Sequence, residues 1–275
     1  MIISAPSRPM KAPLRIARGT LFFFVYGLFL VLAGFVQRVV IWPLSVLRPS
    51  RRTALVGAWF RLMANTSIGI ARVAAGVRLD VEGHVPPGSF VAVMNHQSLL
   101  DIPIAYSQVG PPYPVIPTRA LYARGIPLIS LLIRLGRLPL ISQTKESRRR
   151  DLLAIAHSAD EVARGEKSTL IFPEGHRTRD GEIGPFMRAG LRALLSRAQR
   201  PVYLIVVDGF WRARTTADSL FHFAGSQGKV RIEGPFAAPG EEGLEAFADE
   251  LRTRMCGILD EMRGRGPQGR TTTPK

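Results

Sequence analysis

Between Gly19 and Gln37 the chain carries no charged side chain, and from Leu21 to Val36 it is almost wholly apolar. Such a run has to leave water, either into a protein core or into a bilayer. Nineteen helical residues reach about 28 Å, which barely matches a hydrocarbon core of roughly 30 Å. A second uncharged run, Val39 to Leu47, follows Arg38 and is interrupted by Pro43. The segment therefore either spans a bilayer once or enters one leaflet and comes back. Charge does not orient it, because Arg15 and Arg18 precede it and Arg48, Arg51 and Arg52 follow. A secretory signal peptide fits less well: the apolar region is longer than usual and no clear small-x-small cleavage site follows.

The charge around this segment narrows the class further. The net charge is +16 over 275 residues, yet residues 1–79 hold eleven Lys or Arg and no Asp or Glu. A basic, acid-free segment rich in Leu, Phe and Val suits an anionic membrane surface. No recognition-helix, zinc-finger or RNA-binding signature supports a nucleic-acid partner. Residues 1–18 read as a loose basic arm with Arg8, Lys11, Arg15 and Arg18. Thr53 to Gly76 reads as a helix with Arg61, Asn65 and Arg72 on one face and Leu55, Trp59, Leu62, Met63 and Ile70 as apolar surface. Its place after an apolar anchor favours the membrane interface, with its arginines at the headgroups, over an ordinary helix packed on the domain. The single cysteine, Cys256, rules out an intramolecular disulfide, and the five histidines show no metal-ligand spacing, so neither a metal nor another cofactor is expected.

Asp80 is the first acid, and the composition changes there. Residues 1–79 are taken as a membrane anchor, 80–262 as the soluble domain and 263–275 as a disordered Gly, Pro, Arg and Thr tail. Strands are expected at 78–83 (an edge), 90–94, 115–118, 138–141, 168–172, 202–207 and 229–233. Helices are expected at 101–108, 121–135 with a break near Gly125-Ile-Pro127, 148–164, 187–198 and 243–262. Strands alternating with helices, with polar loops at the strand ends, indicate an α/β domain: a mixed sheet flanked by helices, behind an N-terminal helical membrane anchor.

Two of those loops hold chemistry. The strand at 90–94 runs into Asn95-His-Gln-Ser-Leu-Leu-Asp101. A histidine with a carboxylate five positions later suits acid–base work, the Asp fixing the imidazole tautomer. Ser98-Leu-Leu-Asp101 equally fits a helix capping box. The strand at 168–172 runs into Pro-Glu-Gly-His-Arg-Thr-Arg-Asp-Gly181, in which Gly175 allows close backbone approach and an arginine fork suits a phosphate. Alone, that second loop could be a plain turn with surface arginines.

Together, in this order and about eighty residues apart, the two blocks resemble the glycerolipid acyltransferases, membrane enzymes that acylate lysophosphatidic acid. His96 and Asp101 match that family's His-x4-Asp motif, and Phe172 to Arg177 its Phe-Pro-Glu-Gly-x-Arg block. Phe186 to Gly190, Arg200-Pro-Val and residues 228–235 look like further family elements, so the resemblance covers roughly 80–262. The middle block departs. Arg119 stands where the family usually has Lys, Ser130 where it has Gly, and Ser142 where it has an Arg that Arg137 or Lys145 would have to replace.

The resemblance implies transfer of a fatty acyl group from acyl-CoA or acyl carrier protein to the free hydroxyl of lysophosphatidic acid. It makes His96 the general base and Asp101 its orienting partner. It makes Arg177 the first candidate for the acceptor's phosphate, with Glu174 positioning Arg177 or bonding the glycerol, Gly175 shaping the loop, and Arg119 a weaker phosphate candidate. Asn95 and Ser98 would shape the His loop. A soluble donor would place the catalytic face in the cytoplasm. Another acceptor for the same chemistry (glycerol 3-phosphate, another lysophospholipid or a lyso-aminolipid) and a non-catalytic protein that holds anionic lipid are the rival readings.

Overall fold

A computed structural model of the chain describes residues 12–213 and 215–265. Arg8 and Lys11 of the expected basic arm, and positions 266–275 of the expected tail, lie outside the described residues. Helix α1 (Ala12–Val36) passes through a π-turn at Gln37–Ile41 into α2 (Trp42–Leu47), giving one continuous helix over Ala12–Leu47. Pro43 does not break it. The Trp42 N–H bonds back to Gln37 O, and this wider turn admits a residue with no N–H of its own. Gln37 is buried at the turn, donating to Leu128 O at 3.1 Å and accepting from the Trp59 indole at 2.7 Å.

After a single 3-10 turn comes α3 (Arg52–Ala75), which ends at Gly76 in the left-handed region, φ 68°. Its buried residues include Val56, Trp59, Phe60, Met63, Ala64, Ile68 and Ala71, a stripe at helical spacing that packs on the domain. Arg61 is turned inward to the Val109 carbonyl at 2.6 Å, away from the headgroup position considered for it, while Leu62 and Val73 face out. One side of this helix thus packs on the domain. The Arg61 side chain is long enough to reach an unpaired carbonyl at the end of a neighbouring helix.

The domain proper then runs β1 (Arg78–Glu82), β2 (Val91–Met94), α4 (Asp101–Gln108), β3 (Pro114–Val115), β4 (Thr118–Arg119), α5 (Ile129–Leu135), β5 (Leu140–Ile141), α6 (Arg148–Ala163), β6 (Ser168–Ile171), α7 (Arg188–Ala198), β7 (Val202–Asp208), α8 (Thr216–His222), β8 (Gln227–Phe236) and α9 (Leu244–Met262). Six strands form one sheet in the order β1-β8-β7-β2-β6-β3; β4 and β5 make a separate parallel pair. All pairs in the large sheet are parallel except β7 with β8. The expected mixed sheet is thus present, with residues 78–82 on its edge as read. β2 lies inside with every side chain buried, which is why it is a continuous apolar run, whereas β8 alternates.

The expected strand 115–118 is split, its two halves pairing with different sheets because Pro117 cannot donate to a ladder. Helix α8 was not expected. It starts with a capping box between Thr215 and Asp218.

Two apolar layers sandwich the sheet. One holds α1, α3, α4 and α5; the other holds α6, α7 and α9. Helix α9 buries Leu244, Phe247, Ala248, Leu251, Met255, Ile258 and Leu259, a stripe of i, i+3, i+4 and i+7. Cys256 is partly buried against that layer.

Candidate active site

The carboxyl ends of β2, β6 and β7 lie side by side, so the loops that follow them meet at one edge of the sheet. Open α/β sheets place ligands at that edge. The first loop turns on Asp101. Its Oδ2 accepts from His96 Nδ1 at 2.7 Å and from the amides of Gln97 at 2.6 Å and Ser98 at 2.7 Å; its Oδ1 accepts from Ser98 Oγ at 3.0 Å. The carboxylate is fully buried, and the imidazole is 18% exposed. Asp101 holds the backbone of the turn and also the imidazole, but the capping box is not formed: α4 begins at Asp101 itself, with Leu100 at its N-cap and no side-chain cap bond. An ionised carboxylate only accepts, so the proton sits on Nδ1 and the Nε2 lone pair is available. The ring lies flat on Phe172, with centroids 4.1 Å apart, and this fixes its plane.

The second loop is bolted to the first. Glu174 Oε1 accepts the His96 amide at 3.0 Å and Oε2 the Gly184 amide at 2.8 Å, while the Thr178 amide donates to His96 O at 2.8 Å. Glu174 was expected to position Arg177 or to bond the acceptor's glycerol. It is 2% exposed, and each of its oxygens accepts a backbone amide. Burial raises its carboxyl pKa, and the two amide bonds oppose that rise. Gly175 turns the chain at φ 71°, where a Cβ would collide with the Met187 sulfur. Arg177 follows in the same loop, half-buried, beside the exposed His176 and Arg179.

Arg119 is exposed on β4, and no hydrogen bond joins it to the His96–Glu174 unit among the described residues. Its partner strand β5 leads to Ser142, whose hydroxyl accepts from Arg150 Nη2 at 2.9 Å. A guanidinium therefore reaches Ser142 from α6. Ser130 Oγ accepts the Ile126 amide and donates to the Tyr122 carbonyl, tying the broken 121–135 segment together.

Further fastenings surround the His loop. Asn95 pairs with both backbone groups of Val207, each at 2.8 Å, and Gln97 joins the Phe210 amide to Asp208 Oδ1. Asp208 in turn takes Arg263 from the end of α9 at 2.7 and 2.9 Å, and Arg263 also bonds Gly181 O and Glu182. Burial alone would raise the Asp208 pKa; the Arg263 contacts outweigh it and leave the carboxyl below its ordinary value. Gln97, Asp208 and Arg263 were not singled out in the sequence. The one available signal was Asp208 itself, an acid closing an otherwise apolar strand.

Comparison with known proteins finds acyltransferases. Residues 78–208 match the Acyltransferase family model. The mouse 1-acyl-sn-glycerol-3-phosphate acyltransferase alpha (Mus musculus) is 28% identical over 200 residues, covering 70% of this chain and 67% of the relative. The human enzyme of that name (Homo sapiens) is 27% identical over 201 residues, covering 70% of this chain and 68% of the relative. Among solved structures, the 1-acyl-sn-glycerophosphate (LPA) acyltransferase PlsC from Thermotoga maritima superposes with a TM-score of 0.67 over 94% of this chain and 100% of that one. At 19% identity it shows a shared fold.

Proposed function

We propose that the chain, whose residues 78–208 match the Acyltransferase family model, is a glycerolipid acyltransferase that moves a fatty acyl group from a thioester donor, acyl-CoA or acyl carrier protein, to the free hydroxyl of lysophosphatidic acid at a membrane surface, giving phosphatidic acid. The observation that carries the reading is the 2.7 Å bond between buried Asp101 and His96 Nδ1, which leaves Nε2 as the basic atom at the sheet edge.

A hydroxyl is a weak nucleophile at neutral pH, so a base that removes its proton as it attacks is worth about 10² to 10⁴ in rate. In the proposed step His96 Nε2 takes the hydroxyl proton as the oxygen adds to the thioester carbonyl. Asp101 stabilises the imidazolium that forms. The C–S bond then breaks, and the proton passes from His96 to the departing thiolate. The thiolate leaves readily, so no covalent acyl-enzyme is needed. Arg177, held on a loop that Glu174 and Thr178 pin to His96, is the proposed partner of the acceptor's phosphate, since a guanidinium matches it bidentately.

The proposed anchor is α1 with α2. One side of it packs on the domain, Phe22 meeting Phe223 at 4.8 Å and Gly34 lying against the Leu128 backbone. Its other side exposes Phe24, Leu28, Val31, Leu32 and Phe35, an apolar stripe suited to lipid. A soluble donor puts the reacting face in the cytoplasm.

Acyl transfer from a long-chain acyl-CoA to lysophosphatidic acid, with His96→Ala alongside, tests the proposal. Activity that collapses in the variant supports both reaction and base, and activity that survives sinks the mechanism. The altered middle block, with Ser130 and Ser142 in place of Gly and Arg, favours one second reading: the same chemistry on glycerol 3-phosphate or another lyso-lipid. Turnover of such an acceptor in place of lysophosphatidic acid would establish it.

A further inference from the structure

A cleft of about 590 Å³ runs between α6 and α7, lined by Lys145, Arg148, Arg149 and Arg197 and floored by Leu152, Leu153, Ala156 and Ala193. We propose that it seats the nucleotide end of a coenzyme A donor, with the phosphates on Lys145, Arg148 and Arg149 and the adenine on the apolar floor. The proposal rests on the thioester-dependent reaction above and assigns where its donor binds.

Position is the first argument. Helix α6 leads into β6, which is parallel to β2 and β3, so the helix begins at the carboxyl edge of the sheet, the edge that holds His96. The junction before α6 is rigid. Asp151 accepts from the amides of Ser142 and Gln143 and from Ser147 Oγ, and Gln143 Nε2 donates to Gly175 O at 3.0 Å. The cationic turn is thereby joined directly to the loop that carries Glu174 and Arg177. A phosphate held there leaves the pantetheine arm, a chain on the order of 15–20 Å at about 1.2 Å per bonded atom, free to run over Gly175 to the reacting edge.

Charge is the second. Lys145, Arg148 and Arg149 are exposed and have no carboxylate partner among the described residues. The other cations nearby are engaged: Arg150 with Ser142, Arg197 with Asp160, Arg188 with Asp249. Glu146, also on the rim, has its carboxylate bonded by its own amide and the Thr144 hydroxyl. Cations crowded at the start of a helix repel one another and face the positive end of the helix dipole. A sequence that accepts this cost in one place has three positive charges ready for a polyanion.

Shape selects among polyanions. The volume falls within the usual range of about 300–1,000 Å³ for small-molecule sites, and Leu153 is 58% exposed on the floor, as a purine face requires. An acidic protein needs roughly 800 Å² of surface from each partner, more than a cleft of this size presents. A lipid headgroup is disfavoured by position, because α6 and α7 cover the sheet face opposite the one covered by α1 and α3.

The test is a titration of the full chain in detergent with adenosine 3′,5′-bisphosphate, alongside the K145Q/R148Q/R149Q variant. All three positions are exposed, so the fold tolerates the change. The wild type should bind the nucleotide, and the variant should bind it about tenfold or more weakly, since charge-assisted contacts to phosphate are lost. The donor KM for acyl-CoA should rise in step while the acceptor KM stays where it was. Equal binding by both proteins, or none by the wild type, overturns the proposal. Unchanged nucleotide binding with reduced affinity for anionic vesicles overturns it in favour of a lipid surface. Loss of transfer from acyl carrier protein with no nucleotide binding overturns it in favour of a protein donor. If the nucleotide binds and the triple variant loses it while no acyl transfer is seen with any acceptor, the cleft stands and the reaction assigned above falls.

Discussion

Asp101 accepts four hydrogen bonds within one short loop, and its Asn variant shows what each is worth. An Asn that keeps its carbonyl on the Gln97 and Ser98 amides keeps the His96 Nδ1–H bond as well, because all three reach Oδ2, and its NH₂ then meets Ser98 Oγ, which can accept. The loop and the tautomer are kept, and what is lost is the negative charge that stabilises the imidazolium. Asp101→Asn should lower kcat about 10²-fold with an unchanged circular dichroism spectrum; a loss under tenfold would show that the carboxylate charge does not matter. Glu174→Gln is different in kind. One acceptor oxygen becomes a donor that faces an N–H, either that of His96 or that of Gly184. The buried mismatch should cost about 1–3 kcal/mol, a fall in Tm of several degrees, and kcat should drop because the His96 backbone is freed. Unchanged stability would refute the arrangement. His96 and Asp101 were legible as a pair because they are five residues apart and meet within one turn. Glu174 was legible as important, but the amides it holds were not, because they lie 78 positions upstream or inside a turn whose path no local pattern reveals.

Helix α9 looks, in sequence, like an ordinary closing helix, and its apolar stripe was readable from spacing alone. Arg263 at its end does more: it bonds Asp208 at the end of β7 and Gly181 in the second loop, and Asp208 holds Gln97 beside His96. Three elements distant in sequence are tied by one guanidinium, which periodicity cannot show. Arg263→Met keeps the length and removes the charge, leaving Asp208 partly buried without its cation. The cost should be about 2 kcal/mol at neutral pH, read by denaturant unfolding. The sign with pH follows from Asp208, whose folded pKa is depressed. Its stabilisation is present above the unfolded value of about 3.9 and is lost as pH falls through the folded value, so the gap between wild type and variant should narrow below about pH 4. A gap that stays constant to pH 3 would mean the bond to Gly181 O, and not the ion pair, carries the effect. Helix α8 teaches the same lesson from the other side. Its capping box, Thr215 to Asp218, is a purely local device, yet the helix was not expected from the sequence.

At the scale of the molecule, the charge asymmetry and the apolar N-terminal run were both plain in the sequence, but how the run would be used was not. Hydropathy fixes that a helix must avoid water; it does not say which side of it packs on protein. The structure divides α1 lengthwise, with Phe22, Ala33 and Gly34 toward the domain and Phe24, Leu28 and Leu32 outward at four-residue spacing. A helix committed to the domain along one side and bare along the other fits an anchor that rides at the bilayer surface, its bare stripe in the acyl region. Burying each large apolar side chain is worth about 1.5–3 kcal/mol, and the acid-free basic segment adds an attraction to anionic lipid that salt screens. Phe24→Glu with Leu32→Glu touches only the bare stripe. Partition onto anionic vesicles should fall by at least about tenfold, on the conservative side of that estimate, and raising salt should weaken what remains. Turnover of an acceptor embedded in vesicles should fall with it, while turnover of a water-soluble short-chain acceptor should hold, because the His96 edge is untouched. Vesicle partition equal to wild type would remove the stripe from the membrane; equal losses on both acceptors would mean that α1 supports the fold and does not deliver the enzyme to lipid.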